Sequence, residues 1–319
     1  MLQFILLAGT TAINVAYFII GSWFLAVKVV FILFRRALLP TSLKAIENDI
    51  ILITGGGKGL GRQIALEFAK YKPKLIILWG RHVESLSQTS TEVCALGTPC
   101  VYMQCDVSIK EDINKQANEI KRQHGAVTIL VNNAGILAPG NFLEVEDEKI
   151  EQIFKVNMLA HFRTVRMFLP EMQQLEHGHI VTIGSCLGIS GMDGVSSYCS
   201  SKFGVTAFAD SLAAMLDSAT YKGVQSTVVY PFQISNSMFA GCEIRFPRLF
   251  PPVDEKYVAV KTVEAVLTNT KSLMIPRLIG YIIILKTLMP FEVTTKLNKF
   301  FGVSTAMEKC KKLGNATSS

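Results

Sequence analysis

This chain of 319 residues is short of several things, and each shortage narrows what it can be. It has no internal repeat, which sets aside a repeat architecture, and no long low-complexity linker. One large α/β domain with appendages therefore suits its length. Its seven cysteines are scattered, odd in number and include no CxxC pair, a pattern that points to reduced thiols in a cytosol-facing domain. The net charge of +7 is not gathered into a basic patch with interleaved aromatics, and no nucleic-acid motif is present. Nucleic acid is excluded on that ground, and a membrane surface is the better partner. His177-Gly178-His179 has no further metal ligands gathered with it, so it reads as a turn entering a strand. The acidic run Glu144, Glu146, Asp147 and Glu148 reads as the start of a helix whose dipole it complements.

Charge is also absent from Leu2 to Val27. As a helix those residues would reach roughly 39 Å, against a hydrocarbon core of about 30 Å. A cleaved signal would begin with basic residues; here Lys28, Arg35 and Arg36 follow the apolar run instead. We therefore expect a membrane anchor over 1–36, with Tyr17 and Trp23 at an interface. Basic residues favour the cytoplasmic side, so the catalytic domain, 37–275, should face the cytosol. The endoplasmic reticulum is the default membrane. A hairpin in one leaflet is the alternative and would also suit lipid droplets. A third region, 276–319, holds a second apolar stretch and a polar tail.

Half the residues are apolar, enough for a sizeable core. Short apolar runs at 50–54, 74–79, 99–105, 127–131, 179–184 and 224–230 read as strands, with a last one at 272–275. Helical patterns separate them, the longest over 147–173 and 196–218. That alternation predicts a doubly wound parallel sheet of the Rossmann type.

Two constellations sit on this frame. After the first strand comes Thr54-Gly55-Gly56-Gly57-Lys58-Gly59-Leu60-Gly61. Its glycines let the backbone turn tightly and approach a pyrophosphate, and the helix that follows presents free N–H groups. Further on, Ser185 ends the fifth strand, Tyr198 follows thirteen residues later, and Lys202 lies four residues beyond on the same helix face. A free tyrosine titrates near 10 and is a poor base at neutrality; a neighbouring ammonium favours its phenolate. Tyr198 would then donate a proton in reduction and accept one in oxidation, with Ser185 hydrogen-bonding the substrate oxygen. Cys186 and Cys199, beside these residues, read as small buried apolar side chains.

The TGxxxGxG spacing, Asn132-Asn133-Ala134-Gly135 after the fourth strand, and Asn157, Ser185, Tyr198 and Lys202 together resemble the short-chain dehydrogenase/reductase family over roughly Ile51 to Asn269. The resemblance implies a catalytic tetrad of Asn157, Ser185, Tyr198 and Lys202, with Asn157 helping to hold a relay water and Lys202 also holding the nicotinamide ribose. It implies a cofactor site of Thr54, Gly55, Gly57, Lys58, Gly59, Leu60 and Gly61, with Arg81, Asp106, Val107, Asn133, Ala134, Gly135, Tyr198, Lys202 and Asn236. Homodimers in this family form through the helices near Asn157 and Lys202. One departure stands out: Pro231-Phe232-Gln233-Ile234-Ser235-Asn236 occupies the place of PGxxxT, with Phe232 for Gly and Asn236 for Thr.

Cofactor choice follows from charge. The second strand ends Leu78-Trp79-Gly80-Arg81 with no carboxylate to bond a ribose 2′-hydroxyl, while Arg81 and Lys58 are placed for a 2′-phosphate. NADP(H) is the expected cofactor. The apolar residues Met238, Phe239, Phe246, Leu249 and Phe250, and the stretch 275–291, point to a lipophilic substrate. The pattern is similar to the membrane-anchored subgroup that holds retinal reductases, retinol dehydrogenases and lipid-droplet 17-beta-hydroxysteroid dehydrogenases. That likeness implies NADPH-dependent reduction of all-trans-retinal, with a steroid or fatty alcohol, or a non-catalytic membrane scaffold, as the rival readings.

Overall fold

The computed structural model describes residues 14–15, 17–28, 30–31, 43–235, 245–248 and 250–302. The chain divides into two compact units between Leu43 and Lys44. In the first, residues 17–28 are helical and their apolar side chains are exposed, Phe18 and Trp23 among them. Among the described residues no helix is long and apolar enough to cross a membrane. Residues 1–13 of the expected span lie outside the described residues.

The second unit is built on seven parallel strands: β1 (Ile50–Thr54), β2 (Leu75–Gly80), β3 (Cys100–Gln104), β4 (Ile129–Asn132), β5 (Gly178–Ile183), β6 (Val224–Pro231) and β7 (Ser272–Ile275). Their order across the sheet is β3-β2-β1-β4-β5-β6-β7. Every residue of β1, Ile-Ile-Leu-Ile-Thr, is buried, as a central strand covered on both faces requires. Because side chains alternate, Ile51 and Ile53 enter one apolar cluster while Ile50 and Leu52 enter the other. Helices α1 (Gly59–Ala69), α2 (Val83–Ala95) and α7 (Glu255–Leu267) supply Ile64, Phe68, Val93, Val258 and Val263 to the first layer. Helices α3 (Lys110–Gln123), α5 (Ala160–Gln174) and α6 (Ser196–Leu216) supply Ile113, Ile120, Phe168, Met172 and Leu212 to the second. There Trp79 and Phe168 bring their rings to 5.9 Å.

The long helix expected over 147–173 is not one helix. It runs as α4 (Asp147–Phe154), a π turn (Lys155–Leu159) and α5. Single π turns cluster at functional sites because they shift the side chains that follow them, and this one carries Asn157. Asp147 and Glu148 occupy the first turn of α4.

His177 and His179 sit where β5 begins, at the opposite end of the strand from Ser185. His177 meets Asp49 at 2.6 Å, and His179 lies between Lys44 and Thr227, each at 2.8 Å. Beyond β7, the apolar stretch 275–291 does not continue as one segment. It forms α8 (Arg277–Thr287), and Pro290 then opens α9 (Phe291–Phe300). Phe246 and Phe250 stack on Phe300 and Phe301, which ties the chain before α7 to the end of α9.

Candidate active site

The sheet order reverses at the gap between β1 and β4. Helices leave the carboxyl ends of these two strands toward opposite faces, and a cleft opens between them. Thr54 ends β1 and makes its floor. Its Oγ1 accepts from the backbone N–H of Asn133 at 3.0 Å and of Ala134 at 3.1 Å. Asn133 Nδ2 in turn donates to the Thr54 carbonyl at 2.9 Å. Thr54 is buried beneath the cleft, where it holds the two strand ends together. Gly55 and Gly59 take positive φ, and a Cβ on Gly61 would lie 2.2 Å from the Gly55 carbonyl oxygen. No side chain can replace that hydrogen, because the turn folds its backbone onto the first turn of α1.

The cleft is lined by Gly55, Gly57, Lys58, Gly59, Leu60 and Gly61 from this turn, by Arg81, Asp106 and Val107 from the ends of β2 and β3, and by Asn133, Ala134 and Gly135 after β4. Ser185, Tyr198 and Lys202 line its far side. Of the other residues singled out in the sequence, Asn236 lies outside the described residues, as do Met238, Phe239 and Leu249. Asp106 keeps one carboxylate oxygen on the N–H of Ser108 at 2.9 Å and on its hydroxyl at 2.7 Å, which fixes the turn entering α3.

Asn157 lines no part of the cleft. Its side chain is committed to the backbone of Ile136: Oδ1 accepts from the N–H at 2.8 Å and Nδ2 donates to the carbonyl at 2.9 Å. Nδ2 also donates to Ser201 Oγ at 3.1 Å, and Ser201 donates to the Tyr198 carbonyl at 2.7 Å. The amide therefore ties the segment after β4 to the helix that carries Tyr198 and Lys202. Gly188 serves the same region by size: a Cβ there would fall 2.6 Å from the Lys202 carbonyl oxygen.

Ser185 takes extended backbone geometry, and its hydroxyl caps the following turn by accepting from the Leu187 N–H at 3.1 Å. Lys202 Nζ donates to the Ile183 carbonyl at 2.9 Å and lies 5.8 Å from the centre of the Tyr198 ring. The electrostatics revise the simple view of a phenol acidified by its lysine. Burial pushes the Tyr198 phenol well above its ordinary value, and the opposing influence is a hydrogen bond from Ser185. Burial lowers Lys202 to about 8. For both groups the leading cause is desolvation of the charged form. The free site therefore holds a protonated phenol, the form that donates. Burial also raises Cys186 to about 12, and it raises Cys199, so both stay thiols.

Two other groups, Glu255 and His161, were not singled out in the sequence, and Phe232 was singled out only as a departure from the motif. Glu255 opens α7, and its Oε1 is buried in the cleft wall without a hydrogen-bond partner, 3.2 Å from where a Gly59 Cβ would stand. A ligand rich in hydroxyl donors, such as a ribose, fits that vacancy of donors, and the side-chain-free glycine turn fits a pyrophosphate. The signal for Glu255 was Asp254, whose carboxylate caps α7 through the Tyr257 N–H at 3.0 Å. Phe232 also lines the cleft; it needs no positive φ, its N–H bonds the Ile275 carbonyl at 2.8 Å, and its ring joins Cys186, Ile279 and Ile283. His161, one turn after Asn157, is fully buried and held neutral, at about 3, by that burial.

Comparisons with known proteins agree with this geometry. The family model described as short chain dehydrogenase matches residues 49–243. Human "Short-chain dehydrogenase/reductase 3" is 39% identical over 86% of this chain and 90% of its own length. Human "Epidermal retinol dehydrogenase 2" is 38% identical over 85% of this chain and 88% of its own. Among solved structures, a short chain dehydrogenase/reductase from Burkholderia phymatum in complex with NAD superposes with a TM-score of 0.70, covering 77% of this chain and 95% of that one, at 22% identity. The match over most of the chain, with its glycine turn and its serine, tyrosine and lysine on one cleft, makes this protein a member of the short-chain dehydrogenase/reductase family and an oxidoreductase.

Proposed function

We propose that the protein reduces a long apolar carbonyl with NADPH, and that the substrate is all-trans-retinal, giving retinol. One observation carries the substrate class: Phe232, which lines the cleft, is backed by an apolar cluster of Cys186, Ile279, Ile283 and Phe250 behind Ser185. The relatives named as retinol dehydrogenases support a retinoid within that class.

In this reading the nicotinamide cofactor supplies the hydride. The glycine turn seats its pyrophosphate against the N–H groups that open α1. Arg81 and Lys58, both exposed at the adenosine end of the cleft, bind the 2′-phosphate. No carboxylate ends β2 to oppose them. The Ser185 hydroxyl holds the carbonyl oxygen, and Tyr198, kept protonated by burial, gives its proton to that oxygen as charge develops there. Lys202 in its cationic form stabilises the phenolate left behind and holds the ribose. Asn157 positions both through Ser201 and Ile136. The apolar wall excludes water, so the oxygen has Ser185 and Tyr198 as its donors.

We infer a membrane address as well: anchored by the apolar run before Lys28, at the endoplasmic reticulum with the catalytic unit toward the cytosol, and with lipid droplets as a second address. Pairing through α5 and α6 would suit a homodimer. The test is a set of initial rates with all-trans-retinal and with a 17-ketosteroid, each with NADPH and NADH. Retinal turnover that favours NADPH supports the whole reading. Turnover of the steroid alone keeps the mechanism and overturns the substrate; equal rates with NADH overturn the part given to Arg81 and Lys58.

A further inference from the structure

The two helices that follow the sheet have their apolar side chains on the wrong side for water. In α8 every residue from Leu278 to Leu285 except Gly280 is apolar or aromatic, yet only Ile279 and Ile283 are buried. Tyr281 is 64% exposed, Ile284 59% and Leu285 55%; Leu288 reaches 78% and Phe291 81%. Helix α9 is inverted. Its buried residue is Thr294, while Val293, Leu297 and Phe300, spaced to share one face, are exposed. An uncovered apolar surface running along two consecutive helices is larger than the scattered exposure usual on a soluble domain.

We propose that the outer face of α8 and α9 lies in a lipid surface, as a membrane contact separate from the N-terminal run, and that it sets the mouth of the substrate cleft at the acyl boundary. Helix α8 is eleven residues long, about 16 Å, so it is too short to span and suits lying in the interfacial plane. Charge selects lipid over a second copy of the chain. Between Arg277 and Phe300 the exposed charges are three cations, Arg277, Lys296 and Lys299, against one carboxylate, Glu292. Two such faces brought together by symmetry would oppose their cations, whereas anionic headgroups pair with them. The inner face of the same helix completes the argument. Ile279 and Ile283 pack on Cys186, Phe232 and Phe250 beside Ser185, and Lys286 donates to Ser190 at 2.6 Å. One helix thus has lipid on one side and, on the other, packs on the Phe232 that lines the cleft, and a carbonyl dissolved in the bilayer reaches Ser185 along this apolar packing. This proposal rests on the lipophilic-substrate reading only for its kinetic part.

The experiment uses the full chain reconstituted with phosphatidylcholine vesicles containing anionic phosphatidylserine. Phe291→Trp is placed in a Trp23→Phe background, leaving Trp79, which is fully buried, as the other indole. Lipids brominated on their acyl chains should quench the new tryptophan by about half or more, and aqueous iodide should not. Leu175→Trp, exposed at the end of α5, should respond only to iodide. Quenching of Trp at 291 by iodide alone would overturn the proposal, as would protection from both quenchers, which would mean a second copy or the chain's own segment covers the face. These readouts need no turnover, so they stand even if retinal is not the substrate. In parallel, Leu285→Ser with Leu288→Ser should raise KM for a vesicle-dissolved carbonyl about tenfold, with kcat unchanged and turnover of a short water-soluble carbonyl unaffected. An equal loss on both substrates would mean structural damage and would overturn the role in delivery.

Discussion

The two ends of the cleft are made in different ways. At the cofactor end the wall is backbone. Gly55, Gly59 and Gly61 leave room by having no side chain, and Thr54 and Asn133 lock the strand ends together, each side chain bonding the other's main chain. At the substrate end the wall is side chain: Phe232 lines the cleft, and Cys186, Phe250, Ile279 and Ile283, from three further stretches of sequence, pack behind it. Backbone geometry leaves almost no freedom, since a single methyl on Gly61 collides with a carbonyl. Apolar packing tolerates exchange of one branched residue for another of equal volume. A family can therefore keep one reaction while changing what it reduces.

The sharpest test of the division between the ends is Tyr198, whose proposed part is in the chemistry. Tyr198→Phe should lower kcat about 1,000-fold, with cofactor affinity unchanged by fluorescence titration; a matching loss of binding would mean the tyrosine shapes the backbone end too. Gly61→Ala should weaken cofactor binding about 100-fold, because the methyl must displace the Gly55 carbonyl on which the turn depends. If affinity is kept, the backbone end is softer than its geometry implies. Arg81→Ala should raise the dissociation constant for NADPH about tenfold and leave that for NADH unaltered, as loss of one charge-assisted pair requires.

Protonation tests the junction of the two ends. Lys202 is lowered to about 8 in the free protein, so kcat/KM for reduction should fall about tenfold per pH unit above that value as its cation is lost. Stability should move the other way. Between about 8 and about 9 the folded Lys202 binds fewer protons than the unfolded one, so its contribution makes stability rise with pH; above about 9 the buried thiols Cys100, Cys105 and Cys186, raised to about 12, act in the opposite sense. Denaturant melts at two pH values would check it. The smallest effect should come from the apolar end: Ile279→Leu should cost less than about 1.5 kcal/mol by the same melts and alter preference among carbonyl chain shapes rather than kcat.

Much of this was legible in the chain. Strand β1 falls at the residues where its apolar run stands, because a parallel strand buried on both faces must be apolar throughout, and the edge strand β7 also falls at its expected residues. The glycine turn and the Ser185, Tyr198 and Lys202 spacing were legible because each is local to one strand end or one helix face. The π turn at Lys155–Leu159 was not, since a shift from one helical hydrogen-bond pattern to another leaves the apolar period almost unchanged. Helices α7 and α9 were also missed; the apolar period of α7 is weak, and the inverted face of α9 conceals its helix.

The sequence by itself determined the order of the strands, the glycine turn and the candidate proton donor, because these depend on periods and spacings a few residues long. Only the tertiary structure decided the state of that donor. The burial that raises Tyr198 and lowers Lys202, the Ser201 link from Asn157, the Glu255 oxygen in the cleft wall and the close approach at Gly188 all bring together segments distant in the chain. Desolvation is a property of everything packed around a group, and no local spacing carries it.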